Sequence, residues 1–294
     1  MPELPEAETI LRGLKQRVLG RRIASIEVIS PLVLKSPPDE FTEGAGGRWI
    51  KGVARKGKAL AIELSGQDHA LPRYLLLRLG MTGQLTVVPR QSPLEPHTHV
   101  RLILDDGAHE LRYRDVRRFG RLRCCTREEL DRVWESLGPD AREITEAEFR
   151  HALQGRRGAL KSWLMNQSIL SGLGNIYADE ALFAARIHPL TQAGRLSPDK
   201  ARHLHRTIRK VLERAIHLQG TSFRDYIDIE GRPGNFTSRL RVYQRTGEPC
   251  RRCGHLIRRI IVAGRSTHFC PQCQPRPRHA AAAARRRIRK PEIK

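Results

Sequence analysis

The chain has 294 residues, with 54 Lys and Arg against 31 Asp and Glu, a formal charge of +23 and a pI near 10.9. Hydrophobic residues make up 39%, enough for ordinary cores, so a wholly disordered chain is excluded, and the length is that of roughly two domains. The longest apolar stretch, Tyr74 to Leu79, is far shorter than the roughly 20 residues of a spanning helix and is broken by Arg78, which excludes an integral membrane protein.

The sequence opens Met1-Pro2-Glu3-Leu4-Pro5-Glu6, without a basic segment or an apolar run, so no secretory signal is read there and a cytoplasmic protein is expected. Ile10, Leu11, Leu14 and Val18 then recur at helical spacing, with Gly20 placed as a terminating residue. From there the period changes to two. Strands are expected near 23–29, 49–53, 59–64, 74–79, 85–88, 100–104 and 110–113, with a hairpin turn at Asp105-Asp106-Gly107. Helical patterning returns after Thr126. Capping boxes are read at Thr126 with Glu129 and at Thr145 with Glu148, and further helices over 160–167, 175–185 and 198–218, the last capped by Ser197 before Pro198. The expected fold class is α+β, a β-rich domain with a leading helix followed by a helical domain. A final segment, Pro275 to Lys294, holds eight Lys or Arg and one Glu, so about +7 of the charge sits in low-complexity sequence with little to bury.

Charge of this sign and size calls for an anionic partner. No basic amphipathic helix with an aromatic face stands out, which favours nucleic acid over a membrane surface. Four of the six cysteines, Cys250, Cys253, Cys270 and Cys273, form two C-x2-C pairs 16 residues apart. Two such turns present four thiolates to one tetrahedral ion, so a single structural zinc is expected, with no open position for catalysis. Between the pairs, 257–262 and 266–269 read as a hairpin with Ala263-Gly264-Arg265 at its tip. Cys124 and Cys125 read as structural thiols in a strand.

Two further features are suggestive. Removal of Met1 would leave Pro2 as a secondary amine, and an α-amine titrates at about 8, so part of it is a neutral nucleophile that can form a charged iminium with a carbonyl. Glu3 and Glu6 lie close enough to move protons. Taken alone, Pro-Glu reads first as an ordinary helix start with favourable dipole charges. The segment Ser168 to Asn175, with Gly172 and Gly174 before a helix, can admit a phosphate, though alone it is equally a connector.

Together, Pro2-Glu3-Leu4-Pro5-Glu6, Leu79-Gly80-Met81-Thr82-Gly83, Asp115-Val116-Arg117-Arg118-Phe119-Gly120, Gly172-Leu173-Gly174-Asn175-Ile176-Tyr177-Ala178 and the zinc cysteines resemble the formamidopyrimidine-DNA glycosylase family, in order, over about Pro2 to Gln274. The resemblance implies a bacterial, nucleoid-associated monomer acting on double-stranded DNA with oxidised bases. It would excise oxidised purines and cut the strand by β- and δ-elimination. It also implies an N-terminal β-sandwich with a leading helix (2–137), a linker (138–149), a helix-two-turns-helix domain (150–240), a zinc-finger β-hairpin (241–274) and a disordered basic tail (275–294). By resemblance, Pro2 is the nucleophile at the sugar C1′, Glu3 the general acid/base, and Lys58 and Arg265 complete the catalytic set, Arg265 through a phosphate. Lys56, expected on the same strand face, competes with Lys58 for its role. Met81 and Phe119 match apolar wedges and Arg117 the donor to the orphaned base. His99, Lys161, Asn175 and Arg232 match DNA contacts. The chain departs from the family pattern at Arg232, where a lysine is common, and at Asn235, where an aromatic is frequent, both in the expected base-covering loop 230–236. Two other readings are an endonuclease VIII-like enzyme for oxidised pyrimidines and a non-catalytic zinc-ribbon DNA-binding protein.

Overall fold

The computed structural model describes residues 2–65 and 71–276. They divide into two compact units, one of residues 1–138 with 213–239, the other of residues 139–212 with 240–294. The tail from Pro277 onward lies outside the described residues.

The first unit begins with helix α1 (Leu4–Arg17), whose Leu4, Ala7, Ile10, Leu11 and Leu14 are all buried. Strands β1 (Ile23–Val28), β2 (Trp49–Lys56), β3 (Ala59–Ser65), β4 (Arg73–Arg78), β5 (Gly83–Pro89), β6 (Thr98–Leu104), β7 (His109–Asp115) and β8 (Arg121–Cys125) form two four-stranded antiparallel sheets, in the orders β1-β6-β7-β5 and β2-β3-β4-β8. One continuous core holds Ile10 and Leu14 of α1 with Ile50, Leu60 and Leu77 of one sheet and Leu85, Val100 and Leu111 of the other. Burying two apolar sheet faces and a helix stripe on each other is what the period-two sequence demands. Helix α2 (Pro38–Ala45) seats Phe41 in the same core, while α3 (Arg127–Glu135) makes a satellite cluster from Leu130 against Tyr74 and Leu76. Cys124 and Cys125 lie in β8; burial raises both thiols, Cys125 to about 11, and both are packing residues.

The second unit contains α4 (Glu146–Leu153), α5 (Leu160–Leu164), α6 (Asn175–Ala184) and most of α7 (Pro198–His217), followed by the hairpin β9 (Arg258–Val262) and β10 (Arg265–Phe269). Phe149 stands edge-on to Trp163 with ring centroids 5.3 Å apart. Both expected capping boxes are present, Thr126 with Glu129 and Thr145 with Glu148.

Several expectations change in detail. Helix α2 was not read from the sequence, and strand β8 was read only through Cys124 and Cys125: Arg121-Leu122-Arg123 lacks a run of apolar residues, and it is pairing with β4 that recruits it. Residues 213–239, expected within the helical domain, pack with the sandwich, because Thr221 N–H donates to Glu6 at 2.7 Å and Val87 N–H to the Ile229 carbonyl at 2.8 Å. Among the described residues no helix is long and apolar enough to cross a membrane.

Candidate functional site

Pro2 is buried and leads directly into the N-cap of α1, Glu3, whose extended backbone (φ −110°, ψ −164°) turns the chain into the helix. Glu3 and Glu6 are each 1% exposed. Glu3 therefore sits at the positive end of the helix dipole, in a dry setting where a carboxylate's interactions are strengthened. Glu6 is occupied differently. One oxygen accepts the Glu3 N–H at 2.7 Å and the other the Thr221 N–H at 2.7 Å, so it fixes the backbone beside Pro2 to the segment that follows α7. Gly220 (φ +83°) makes this approach possible, since a Cβ there would lie 2.7 Å from the Glu6 carboxylate. Glu8 pairs with Arg12 and with the nearly enclosed Arg55, both at 3.0 Å, and Arg55 also donates to the Gly57 carbonyl at 2.8 Å. That ties α1 to the β2–β3 turn. Lys58 occupies this turn beside Gly57 (φ +58°), not a strand as expected, and the competing Lys56 donates to the Trp134 carbonyl at 2.6 Å. Lys56 ends β2 and Lys58 lies in the two-residue turn itself, so the two lysines do not share a strand face.

Met81, Arg117 and Phe119 lie on neighbouring loops of the same unit. Arg117 and Phe119, expected on one strand face, instead follow β7 in a loop where Arg118 is left-handed (φ +57°). The Arg117 guanidinium stacks 4.7 Å from the centre of the Phe119 ring, and Phe119 is 52% exposed. An exposed phenylalanine under a guanidinium is not a core residue. Gly80 (φ +66°), just before Met81, passes so close to Gly120 that a Cβ would meet its nitrogen at 2.6 Å. His99, expected at DNA, is 4% exposed; its Nε2 meets the Asp115 carbonyl at 3.0 Å, so it supports the loop from behind.

The segment after α7 closes on itself. Asn235 N–H donates to the Leu218 carbonyl (2.8 Å), Phe236 N–H to that of Gly220 (2.9 Å), and Gly234 N–H to Ser222 Oγ (2.8 Å). Arg232 is pinned by Asp228 at 3.0 Å and Glu230 at 2.7 Å, with its side chain still largely exposed. Phe223, which sequence reasoning passed over, is 40% exposed in the same segment.

In the second unit, Asn175 is the first residue of α6. The turns before it are tied by Gln167, which accepts the Gly172 N–H at 3.0 Å and donates to the Leu173 carbonyl at 2.7 Å. Arg265 is exposed as the first residue of β10, after the two-residue turn Ala263-Gly264 (φ +47° and +72°). Lys161, expected at DNA, is wholly enclosed. Its Nζ is 2.7 Å from Asp179 and donates to the Ser266 carbonyl (3.0 Å) and Thr267 Oγ1 (2.8 Å). Asp179 also accepts the His268 N–H at 2.8 Å. One turn of α6 separates Asn175 from Asp179, so this buried pair fixes Asn175 and Arg265 in one register.

The ligand atoms of Cys250, Cys253, Cys270 and Cys273 lie within 4.8 Å of one another, with sulfur separations of 3.5 to 3.9 Å. A tetrahedron with Zn–S bonds of about 2.3 Å has edges of roughly 3.8 Å, so the set fits zinc. Burial raises the thiols of Cys270 and Cys273, whereas at Cys250 amide donors from Arg252 and Cys253, with the neighbouring thiols, outweigh burial and bring the thiol down to about 7.

Three family descriptions match in order: the formamidopyrimidine-DNA glycosylase N-terminal domain over residues 1–122, its H2TH domain over 136–226, and a zinc finger found in FPG and IleRS over 247–276. The formamidopyrimidine-DNA glycosylase of Symbiobacterium thermophilum is 44% identical over 97% of this chain and 93% of its own, and that of Heliobacterium modesticaldum 46% identical over 93% and 100%. The chain belongs to the formamidopyrimidine-DNA glycosylase family. Crystal structures of the Lactococcus lactis Fpg with DNA containing an abasic site (TM-score 0.85, 36% identity, 93% of this chain and 100% of that one) and of a variant with Fapy-dG DNA (0.86, 35%, 94% and 100%) share its fold. As in that family, the cofactor is one structural zinc, held by the four cysteines.

Three buried carboxylates organise this glycosylase and were not singled out for that work: Glu6, Asp115 and Asp179. Glu6 carries the capping-box spacing from Glu3, and Asp115 heads the Arg117-to-Phe119 motif, so both left a local signal. Asp179 left none, because its partners lie on segments far away in sequence.

Proposed function

We propose that this DNA glycosylase acts in repair on double-stranded DNA, excising oxidised purines and then cleaving the strand at the resulting abasic site. The observation that carries the reading is the N-terminus: a buried proline at position 2, followed by a buried glutamate at a helix N-cap that Glu6 locks in place. With Met1 removed, the Pro2 amine attacks C1′ of the everted nucleotide; the C1′–N bond breaks and the base leaves with its electron pair, taking up a proton. Glu3 shuttles protons as the sugar ring opens to the iminium. The cationic nitrogen then accepts electrons during loss of the 3′- and then the 5′-phosphate. Lys58, at a turn anchored to α1 through Arg55 and Glu8, binds phosphate beside this centre. Met81 and Phe119 fill the void left by eversion and Arg117 donates to the orphaned base. Asn175 and Arg265 hold backbone phosphates, Arg265 as a fork. Arg232 borders the loop that covers the base. The protein works as a monomer in the bacterial cytoplasm, at the nucleoid.

A second reading, action on oxidised pyrimidines, is favoured by one observation: a Lactococcus lactis relative with TM-score 0.85 was crystallised with DNA containing an oxidised pyrimidine. Competition between 8-oxoguanine and oxidised-pyrimidine duplexes tests the ranking, with the purine expected to be cut faster. For the mechanism, borohydride reduction with 8-oxoguanine DNA is expected to give a covalent complex that Pro2→Gly loses. An undiminished complex in that variant overturns the proline mechanism.

A further inference from the structure

We infer that Asp115 is a positioning residue for nucleotide eversion, its buried carboxylate holding the Met81 turn and the Arg117-to-Phe119 loop in one register. The inference rests on the proposed void-filling role of those three residues.

Asp115 ends β7 and is fully buried. Its Oδ1 accepts from Thr82 Oγ1 at 2.5 Å and from the Arg117 N–H at 3.3 Å, while its Oδ2 accepts from the Gly120 N–H at 2.7 Å and the Tyr113 hydroxyl at 3.5 Å. Thr82 Oγ1 in turn accepts the Arg117 N–H at 3.0 Å. The Asp115 backbone is fixed as well, its N–H donating to the His97 carbonyl and its carbonyl meeting His99 Nε2, both at 3.0 Å. The donors thus come from both loops: Thr82 follows Met81, and the Arg117 and Gly120 amides bracket Arg118 and Phe119. With both ends of that stretch held by one carboxylate, and Arg118 left-handed between them, Phe119 is projected outward. Gly80 and Gly120 touch backbone to backbone, so a shift of either loop moves the other.

No cation forms an ion pair with Asp115 among the described residues, although the chain has arginine on either side of this loop. A buried carboxylate without a counterion is costly, and a neutral side chain would serve stability at lower cost. What the carboxylate supplies instead is four acceptor directions at one point, which a carboxamide cannot reproduce, because its NH2 would face either the Gly120 amide or the Arg117 amide.

The test compares Asp115→Asn with the parent, both zinc-loaded, in borohydride trapping at an abasic site in duplex DNA opposite cytosine, opposite adenine, and in single-stranded DNA. Losing one well-formed acceptor from the loop is expected to lower duplex trapping opposite cytosine on the order of tenfold and flatten the cytosine-to-adenine ratio. Single-stranded trapping, with no void to fill, is expected to stay at the parental level. A general loss of folding would depress all three substrates together and lower the melting temperature. Thr82→Val, which removes the hydroxyl but keeps the carboxylate, is expected to shift the ratios in the same direction by less, and it carries the test if Asp115→Asn does not fold. Phe119→Ala separates the two layers of the argument. If it leaves the duplex ratios unchanged, the void-filling reading fails and this inference with it; if it changes them while the Asp115 and Thr82 variants do not, only the inference fails.

Discussion

Replacing Lys161 with methionine separates two roles for this residue. A lysine read from sequence alone is a surface cation for phosphate, but here the ammonium is enclosed, 2.7 Å from Asp179 and donating to the Ser266 carbonyl and Thr267 Oγ1. Methionine matches the length and donates nothing, so the Asp179 carboxylate would remain buried with the His268 N–H at 2.8 Å as a remaining partner. Removing one member of a buried pair costs about 3–5 kcal/mol; with that amide still donating, about 3 kcal/mol is expected, roughly a 150-fold loss in the folding equilibrium of the second unit. Urea denaturation at constant zinc, followed by hydrogen exchange of β10 and α6 amides, reads this directly. The double variant Lys161→Met with Asp179→Asn should recover most of the loss. The reasoning is refuted if Lys161→Met unfolds like the parent, lowers the slope of log affinity against log salt by about 0.9, as a lost phosphate contact would, and is indifferent to Asp179→Asn.

Other outcomes follow from the same geometry. Gly220→Ala forces a left-handed alanine whose Cβ would press on Glu6, so base excision should fall and proteolysis within 219–236 should quicken, read by glycosylase assay and limited trypsin digestion. Cys270→Ser, or chelation of zinc, should unfold residues 247–276 and weaken DNA binding, read by circular dichroism and a zinc assay in parallel. Burial, with a further push from Arg276, lowers His188 to about 4, and its Nδ1 accepts the Leu190 N–H at 3.1 Å. The unfolded chain takes up this proton near its ordinary value of about 6.5 and the folded one only near 4, so stability is lost as pH falls through that window. Melting curves of His188→Asn over the same range, with zinc content monitored, should show a shallower fall.

How much of this was legible depended on whether the signal was local. Strand periodicity, the capping boxes at Thr126 and Thr145 and the cysteine spacing are short-range patterns, and the structure contains each of them. Lys58 was misplaced because the β2–β3 hairpin has only two turn residues, too few to interrupt an alternating pattern. Arg117 and Phe119 look like neighbours on a strand until the left-handed Arg118 breaks the alternation, and arginine gives no warning of that conformation. Lys161 was placed at DNA by the family resemblance, and lysine is seldom fully enclosed; only Asp179, 18 residues later, and β10, over a hundred residues later, make its burial tolerable. The allegiance of residues 213–239 was hidden for a similar reason, since Glu6 and Thr221 meet across 215 residues.

The central claim is that the terminal amine of Pro2 is the nucleophile. It is tested most directly by reducing the enzyme with borohydride on duplex DNA containing 8-oxoguanine, digesting the adduct and locating the modified residue by mass spectrometry. The account predicts that the sugar remnant is carried on the nitrogen of Pro2, in chains that have lost Met1. A remnant on Lys58 or another lysine, or one formed in chains that keep Met1, would contradict it.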